Sequence, residues 1–508
     1  MARFYITTAI DYANGDPHLG HAFEKIGADV IARYRRQRGD DVHFLMGMDE
    51  HGTKVAQAAA ERGLSPQEHV DEIAARFVAM WRKLSISNDQ FVRTTSEAHK
   101  AGVRALLKRI FEASPDDFYE KSYEGWYCVG CESFKTDAEV VGGKCILHPT
   151  RTLEWVRERN WFFRLSKYAP FLKRLIADRP GFLQPESRRN EMLALLDEGL
   201  QDVSASRSHV AWGIPFPVPL STGEAQTTYV WFDALPNYLT ATGFPARGYR
   251  DRWPASAHVV GKDINRFHSL IWPAMLQAAE LPLPEKVFVH GFVTAGGERF
   301  SKSAGVRIDL DEAIGRYGVD AFRYFLMREV PFDGDGGFSW ERYEERYNAD
   351  LANALGNLAS RCIAMVERYF AGVVPAGSPN AVDAADAAQY EAYHAALGGG
   401  GGYPVQDALR AVWQTVQRGN EYVDRQAPWK LAKDPAARAQ LEDTMASLTR
   451  QLLRHAVHLA PVMPAKAQEL WHQLGGPGEV AAVRFDALAS LDPTGWRVQK
   501  GDPLFPKE

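Results

Sequence analysis

An apolar strand at residues 4–8 runs through Asn14-Gly15 into a helix that opens on His18-Leu19-Gly20-His21. A second apolar run follows at 42–46, and helical periodicity occupies 20–38, 53–62 and 66–84. This order constrains the fold more than any other feature. Strands alternating with helices imply an α/β fold, a doubly wound parallel sheet with its ligand at the carboxyl ends of the strands. Helix N-termini carry unsatisfied N–H groups and partial positive charge, so the one near Gly20 is suited to a phosphate. His18 and His21 add donors there, and Gly20 lets a nucleotide come close to the backbone. Neither histidine has a nucleophilic serine or cysteine beside it. The pair therefore points to electrostatic stabilisation of phosphoryl-transfer charge rather than covalent catalysis.

A second polar group lies far downstream: Arg299 leads Ser301-Lys302-Ser303 on a loop after Gly296-Gly297. One lysine and two hydroxyls on a loop suit a polyphosphate. The alternation breaks near 118–155, among Cys, Gly and aromatic residues, and resumes over 226–330 with Val259-Val260 and Val287-Phe288-Val289-His290. Beyond 345 the pattern is helical, at 348–371, 383–397, 405–426, 438–458 and 463–473, with five glycines at 398–402 marking a flexible break. The chain thus divides into 1–115, the first half of the sheet domain, and 116–225, an insertion. The second half of the sheet domain follows at 226–330, then a connecting module at 331–347 and an all-α bundle at 348–508.

A chain of 508 residues is too long for one core. Its net charge of −5 argues against indiscriminate nucleic-acid binding, DNA included. A local basic face remains open: Arg33, Arg35, Arg36 and Arg38 form one cluster and Arg188-Arg189 another, each equally readable as a solvated helix face. No apolar run approaches the roughly 18 residues that span a membrane. The N-terminus begins a strand rather than a signal peptide, so the cytoplasm is the expected compartment.

Cys128, Cys131, Cys145 and His148 stand in Cys-x2-Cys…Cys-x2-His spacing. Two such knuckles present four ligands to one tetrahedral ion, and thiolates with an imidazole favour zinc. Reduced, packed thiols are the alternative. With every position filled by protein, the site is structural rather than catalytic. Cys362 stands alone in a helix and reads as core. In the bundle, Asn353, Asn357 and Arg361 recur at i, i+4 and i+8 on one helical face, and Trp429 follows Pro428 near another helix end. Polar edges beside an aromatic platform suit unstacked bases, although polar helix faces are more often simply solvated.

The stretch 6–21, Ile-Thr-Thr-Ala-Ile-Asp-Tyr-Ala-Asn-Gly-Asp-Pro-His-Leu-Gly-His, resembles the opening of methionyl-tRNA synthetases. So do Gly47-Met48-Asp49-Glu50-His51-Gly52, Tyr229-Val230-Trp231-Phe232-Asp233-Ala234, Gly261-Lys262-Asp263 and Trp272-Pro273-Ala274-Met275. Ser301-Lys302-Ser303 is similar to the flexible-loop motif of class I aminoacyl-tRNA synthetases, and the matches keep family order from residue 3 to about 430. The resemblance implies a split Rossmann-like fold and a ligase that uses ATP, Mg²⁺, methionine and tRNA(Met). It assigns His18, His21 and Lys302 to catalysis, and Gly20, Gly261, Asp263, Arg299, Ser301 and Ser303 to ATP. Asp49 would hold the methionine ammonium, with Ile10, Tyr12, Trp231, Ala234, Leu235, Tyr238, Ile264 and His268 around the thioether. Aromatic walls suit a soft sulfur.

The same resemblance reads the knuckle as a single zinc site and Asn353, Asn357, Arg361 and Trp429 as the anticodon set. Two departures stand out: Arg299-Phe300 replaces the family's usual Lys-Met, and Ile271 stands where some members carry an aromatic. Rival readings are another class I synthetase, a smaller nucleotidylyltransferase, and a tRNA-binding relative without ligase activity. Aliphatic-specific synthetases need a large editing insertion, and the 280 residues between His21 and Ser301 leave little room for one. No additional oligonucleotide-binding module is evident near the end of the chain, which makes a monomer the expected state.

Overall fold

The computed structural model describes residues 1–128, 133–135, 139–146, 148–208, 210–295, 298–299 and 308–507. Cys131, Ser301, Lys302 and Ser303 lie outside the described residues.

The chain opens on β1 (Arg3–Thr8) and the short β2 (Asp11–Tyr12), then α1 (Leu19–Gln37) and β3 (Asp41–Asp49). Next come α2 (Thr53–Glu61), α3 (Pro66–Lys83), β4 (Gln90–Arg93) and α4 (Glu97–Ala113). A seven-stranded sheet runs Leu183–Gln184, Val287–His290, Ala257–Gly261, β1, β3, with β2 and β4 both beside β3. Every pairing in it is parallel. The sheet is drawn from both halves anticipated in the sequence, and its edge strand Leu183–Gln184 comes from the intervening 116–225 stretch. The central strands read apolar throughout because both faces are covered: Phe4, Tyr5, Ile6, Phe44, Leu45, Val259, Val260 and Phe288 are all buried.

Helix α1 packs closely against this sheet and the segment after it. A Cβ built on Gly27 would lie 2.1 Å from the Phe332 ring, so only glycine admits the approach. Inserted between the halves, β5 (Phe118–Cys128) pairs antiparallel with Glu154–Phe163 along ten residues. At its tip a small three-stranded sheet joins Val140–Val141, Lys144–Cys145 and His148–Thr152.

The C-terminal part is helical as read from periodicity, with Ala381–Leu397, Val405–Gln426, Arg438–Leu459 and Pro464–Gln473 within two residues of expectation. Two findings differ. The anticipated helix at 348–371 begins as a wider π-type stretch, Tyr347–Gly356, and only then becomes α-helical over Asn357–Phe370. The glycine run is not a loose break. Arg35 donates to the Gly398 carbonyl at 2.7 Å, Lys286 to that of Gly399, and Gln184 to that of Gly400 at 3.2 Å. Three sheet-domain side chains therefore clasp it.

Arg323, fully buried, ties the two parts together. Its guanidinium bonds Asp29 at 2.6 Å, the Leu84 carbonyl at 3.0 Å, Pro461 at 3.0 Å and Val462 at 2.7 Å. Burial would raise Asp29, but Arg33 and Arg323 bring its carboxyl down to about 2. Three of the four arginines in the cluster on α1 are held in ion pairs, and the exposed Arg38 lies over the Tyr34 ring. Arg33 pairs with Asp29, Arg35 with Asp40 and Arg36 with Asp89. Arg188 and Arg189 pair with Glu191 and Glu186. Among the described residues no helix is long and apolar enough to cross a membrane.

Candidate active site

The α1 N-terminus is built by the two histidines themselves. His18 Nδ1 accepts from the Gly20 N–H at 3.1 Å and the His21 N–H at 3.4 Å, while His21 Nδ1 accepts from the His18 N–H at 3.3 Å. This reciprocal arrangement is a capping box made with imidazoles. Accepting at Nδ1 puts the hydrogen of each neutral ring on Nε2. The rings stack 3.6 Å apart, and a Cβ on Gly20 would sit 3.1 Å from His18 Cε1. Glycine is thus needed here partly to seat the first histidine, a reason absent from the sequence reading.

Under this helix lies a charged cluster that sequence reasoning passed over. Lys25 is completely buried and donates to the Ala9 carbonyl at 2.8 Å, Asp11 Oδ1 at 2.9 Å and Glu24 Oε1 at 2.6 Å. Glu24 Oε2 meets His290 Nε2 at 2.9 Å, and Asp11 Oδ1 stands 4.0 Å from His21 Nε2. Burial lifts the Asp11 carboxyl to about 7 against the pull of Lys25, with Glu24 adding to the rise. Burial also works on Glu24, but Lys25 and His290 outweigh it and hold that carboxyl below its ordinary value.

The predicted methionine residues converge. Tyr12 lies opposite Asp49 in the β2–β3 register, and the Ala13 N–H donates to the Asp49 carbonyl at 2.9 Å. Tyr12 meets Trp231 edge-on at 6.3 Å. Tyr238 Oη donates to His268 Nε2 at 2.7 Å, and His268 Nδ1 donates to the Ile264 carbonyl at 3.0 Å. Burial pushes His268 down to about 4, so the ring is neutral, as that pattern requires. Ile10, Ile264, Leu235 and Ile271 belong to the same core, and Ala234 is buried beside Leu235.

One wall was missed. Phe267 stacks on Trp231 at 3.7 Å, carried beside His268 by a π-helical turn, Phe267–Ile271. A second omission is a buried bridge between two of the quoted motifs: Asp233 accepts from His51 at 2.7 Å and from His99 at 2.9 Å. Burial raises Asp233, yet the two histidines hold its carboxyl below the ordinary range. Position 99 carried no motif, so only the fold could reveal it.

Gly261 ends its strand beside Asp263, where a Cβ would lie 2.8 Å from the carboxylate. Arg299 is described by backbone alone, paired with Thr294 in a three-stranded sheet with Gly336–Phe338. Cys128 and Cys145 are both buried in one small cluster with Leu153. His148 lies opposite Cys145 in the strand register. On the helical part, Asn353 and Asn357 are exposed and the Arg361 guanidinium lies 5.7 Å from the Trp429 ring centre. Arg361 also pairs with Asp424 at 2.8 Å.

Residues 4–152 and 144–363 match the family described as tRNA synthetases class I (M), and 389–507 match the anticodon binding domain of methionyl tRNA ligase. The chain belongs to the methionyl-tRNA synthetase family. It is 44% identical to the methionine–tRNA ligase of Thermosynechococcus vestitus over 97% of this chain and 93% of the relative. With that of Caldanaerobacter subterraneus it shares 42% identity, covering 99% of this chain and 78% of the other. Among solved structures, Mycobacterium tuberculosis methionyl-tRNA synthetase in complex with methionyl-adenylate superposes with a TM-score of 0.93 at 38% identity, covering 100% of both chains. The free form of the same enzyme gives 0.85 at 36% identity, covering 100% of this chain and 98% of that one.

Proposed function

We infer that this member of the family activates methionine with ATP, releasing pyrophosphate, and transfers the methionyl group to the 3′ end of its tRNA. What carries the reading is one adjacency: an imidazole-capped helix N-terminus stands beside a cluster of aromatic side chains that includes a buried carboxylate. His21 neighbours Asp11, Asp11 is followed by Tyr12, and Tyr12 lies opposite Asp49 and edge-on to Trp231.

The Asp49 carboxylate holds the substrate ammonium. Tyr12, Trp231, Tyr238, His268, Ile10, Ala234, Leu235 and Ile264 enclose the thioether, and neutral His268 with the Tyr238 hydroxyl orients it without introducing charge. The methionine carboxylate then attacks the ATP α-phosphate in line. His18 and His21 present Nε2–H donors to the developing charge, and Lys302 with Arg299, Ser301 and Ser303 meets the pyrophosphate, which arrives with Mg²⁺. Gly20, Gly261 and Asp263 leave room for and bind the nucleoside. The tRNA terminal hydroxyl next attacks the adenylate, a step that needs mainly positioning.

Cys128, Cys131, Cys145 and His148 would hold one zinc ion. The shared burial of two thiols and the facing of Cys145 with His148 support this donor set. Such an ion would supply a structural cross-link at the insertion's tip. Asn353, Asn357, Arg361 and Trp429 read the anticodon. The five stretches 1–115, 116–225, 226–330, 331–347 and 348–508 serve as the domains, and the enzyme works as a cytoplasmic monomer in translation. The test is exchange of labelled pyrophosphate into ATP across all twenty amino acids without tRNA. Exchange with methionine alone is expected; exchange with a different amino acid would discard the pocket, and none at all would leave a binding protein.

A further inference from the structure

The Lys25 cluster does more than fill space. Its ammonium meets three oxygens from three elements: the Ala9 carbonyl after β1, Asp11 on β2 and Glu24 on α1. Three acceptors saturate an ammonium. Side-chain exposure is 0% for Lys25, 3% for Asp11 and 8% for Glu24, so water screens none of these charges. His290 faces oxygen at both ring nitrogens, Glu24 at 2.9 Å and the Gly291 carbonyl at 2.7 Å, an arrangement a protonated ring satisfies fully. Glu24 is thus met by both Lys25 and His290, and Asp11 by Lys25.

This cluster sits below the helix start that receives the triphosphate. Glu24, held ionised below its ordinary range, would repel an anion there if left uncompensated, and Lys25 opposes the burial that lifts Asp11 to about 7, which favours the charged form of that carboxyl as well. Among the described residues, Lys25 and His21 are the cationic or potentially cationic side chains in ion-pair reach of Asp11. Without Lys25, the carboxylate would draw on His21, one of the two rings that face the phosphate. Asp11 Oδ2 is buried and accepts no hydrogen bond among the described residues, so the ammonium on Oδ1 is what keeps this carboxylate compensated. A structural filler at position 25 could have been apolar, and buried ion pairs are often no more stabilising than apolar replacements. We propose that Lys25 is a positioning residue for ATP: its ammonium pins Asp11 and Glu24 beneath the first turns of α1 and cancels their charge where the triphosphate arrives. This role rests on the reading of the chain as an ATP-dependent methionine ligase.

The test compares wild type, Lys25→Met and the charge-neutral double variant D11N/K25M in methionine-dependent pyrophosphate exchange with ATP varied. Methionine affinity is measured separately by fluorescence titration. For Lys25→Met, kcat/KM for ATP falls by about tenfold or more while the methionine Kd stays within about twofold. D11N/K25M regains at least about fivefold of that loss, because the two sites are coupled through charge. A merely structural lysine gives a different pattern: both substrates suffer together and the second substitution adds damage. That pattern overturns the proposal, as does a Lys25→Met enzyme within about twofold of wild type. If Lys25→Met does not fold, the neutral pair decides: within about tenfold of wild type supports the role and a greater loss rejects it. A wild-type chain with no methionine-dependent exchange would instead sink the ligase reading itself.

Discussion

The sheet domain and the helical domain treat their polar residues in opposite ways. In the sheet domain, apart from the exposed His18 at the start of α1, polar groups of the candidate site are buried and paired: Lys25 with three oxygens, Asp233 with two histidines, His268 between Tyr238 and a carbonyl. On the helical side, Asn353 and Asn357 lie in the open and Trp429 is 39% exposed. The contrast fits the sizes of the ligands proposed for the two regions. A small substrate surrounded by protein is positioned by groups already fixed in place and shielded from water. A folded RNA cannot be enclosed, so its bases must find edges and platforms at the surface. The helical domain's buried ion pairs, such as Asp383 with Arg450 and Arg454, are its own scaffold.

The strongest way to break this comparison is to cut the joint between the two regions. Arg323→Met leaves Asp29 with one cationic partner, the partly exposed Arg33, beside its hydrogen bonds from Ser87, and should cost about 3–5 kcal/mol in urea unfolding. A loss under about 1 kcal/mol would mean that the two regions do not lean on this contact. Next, Lys302→Ala should slow methionine activation by about 100- to 1000-fold with little change in methionine binding. Comparable weakening of methionine in a titration would remove that lysine from the pyrophosphate site.

Trp429→Ala sharpens the contrast from the other side. It should lower tRNA charging by an amount equivalent to about 1–3 kcal/mol while pyrophosphate exchange without tRNA stays at the wild-type rate. Reduced exchange would show that the surface platform also supports the buried site.

A pH response is shared by both regions. Burial pushes His455 down to about 3 and His458 well below its ordinary value, and in the sheet domain it does the same to His258 and takes His268 to about 4. These rings are neutral when folded, whereas the unfolded chain takes up protons below about pH 6.5. Stability is therefore fully present above that pH and is lost as pH falls through it. Each ring contributes at most about 1.4 kcal/mol of loss per pH unit. Asp29 and Asp383, both held near 2, add a further loss below about pH 4. Equal urea midpoints at pH 7.5 and 5.5 would contradict the neutral buried histidines.

Much of this was legible in the residues. Periodicity located the C-terminal helices from 381 onward to within two residues, the clearest case being Val405–Gln426, which buries one face, whereas Arg438–Leu459 is buried nearly all round beyond Thr444. The motifs located His18, His21, Asp49 and Trp231 because strand ends and helix starts are local events. The basic cluster on α1 was equally readable as a nucleic-acid face or a solvated one, and nothing in its own segment says that Asp29, Asp40 and Asp89 will pair with three of its arginines. The glycine run misled for the same reason: conformational freedom is a local property, and Arg35, Lys286 and Gln184 are not local.

The sequence by itself determined the alternating sheet and the helical C-terminal part and proposed the groups of the candidate site, all of which follow from local pattern and residue chemistry. Tertiary structure alone decided which charges are neutralised and which aromatic rings touch. Lys25 meets Asp11 across 14 positions, Glu24 meets His290 across 266, and His99 meets Asp233 across 134. Such pairs depend on burial, and burial is fixed only when distant segments pack together and exclude the water between them.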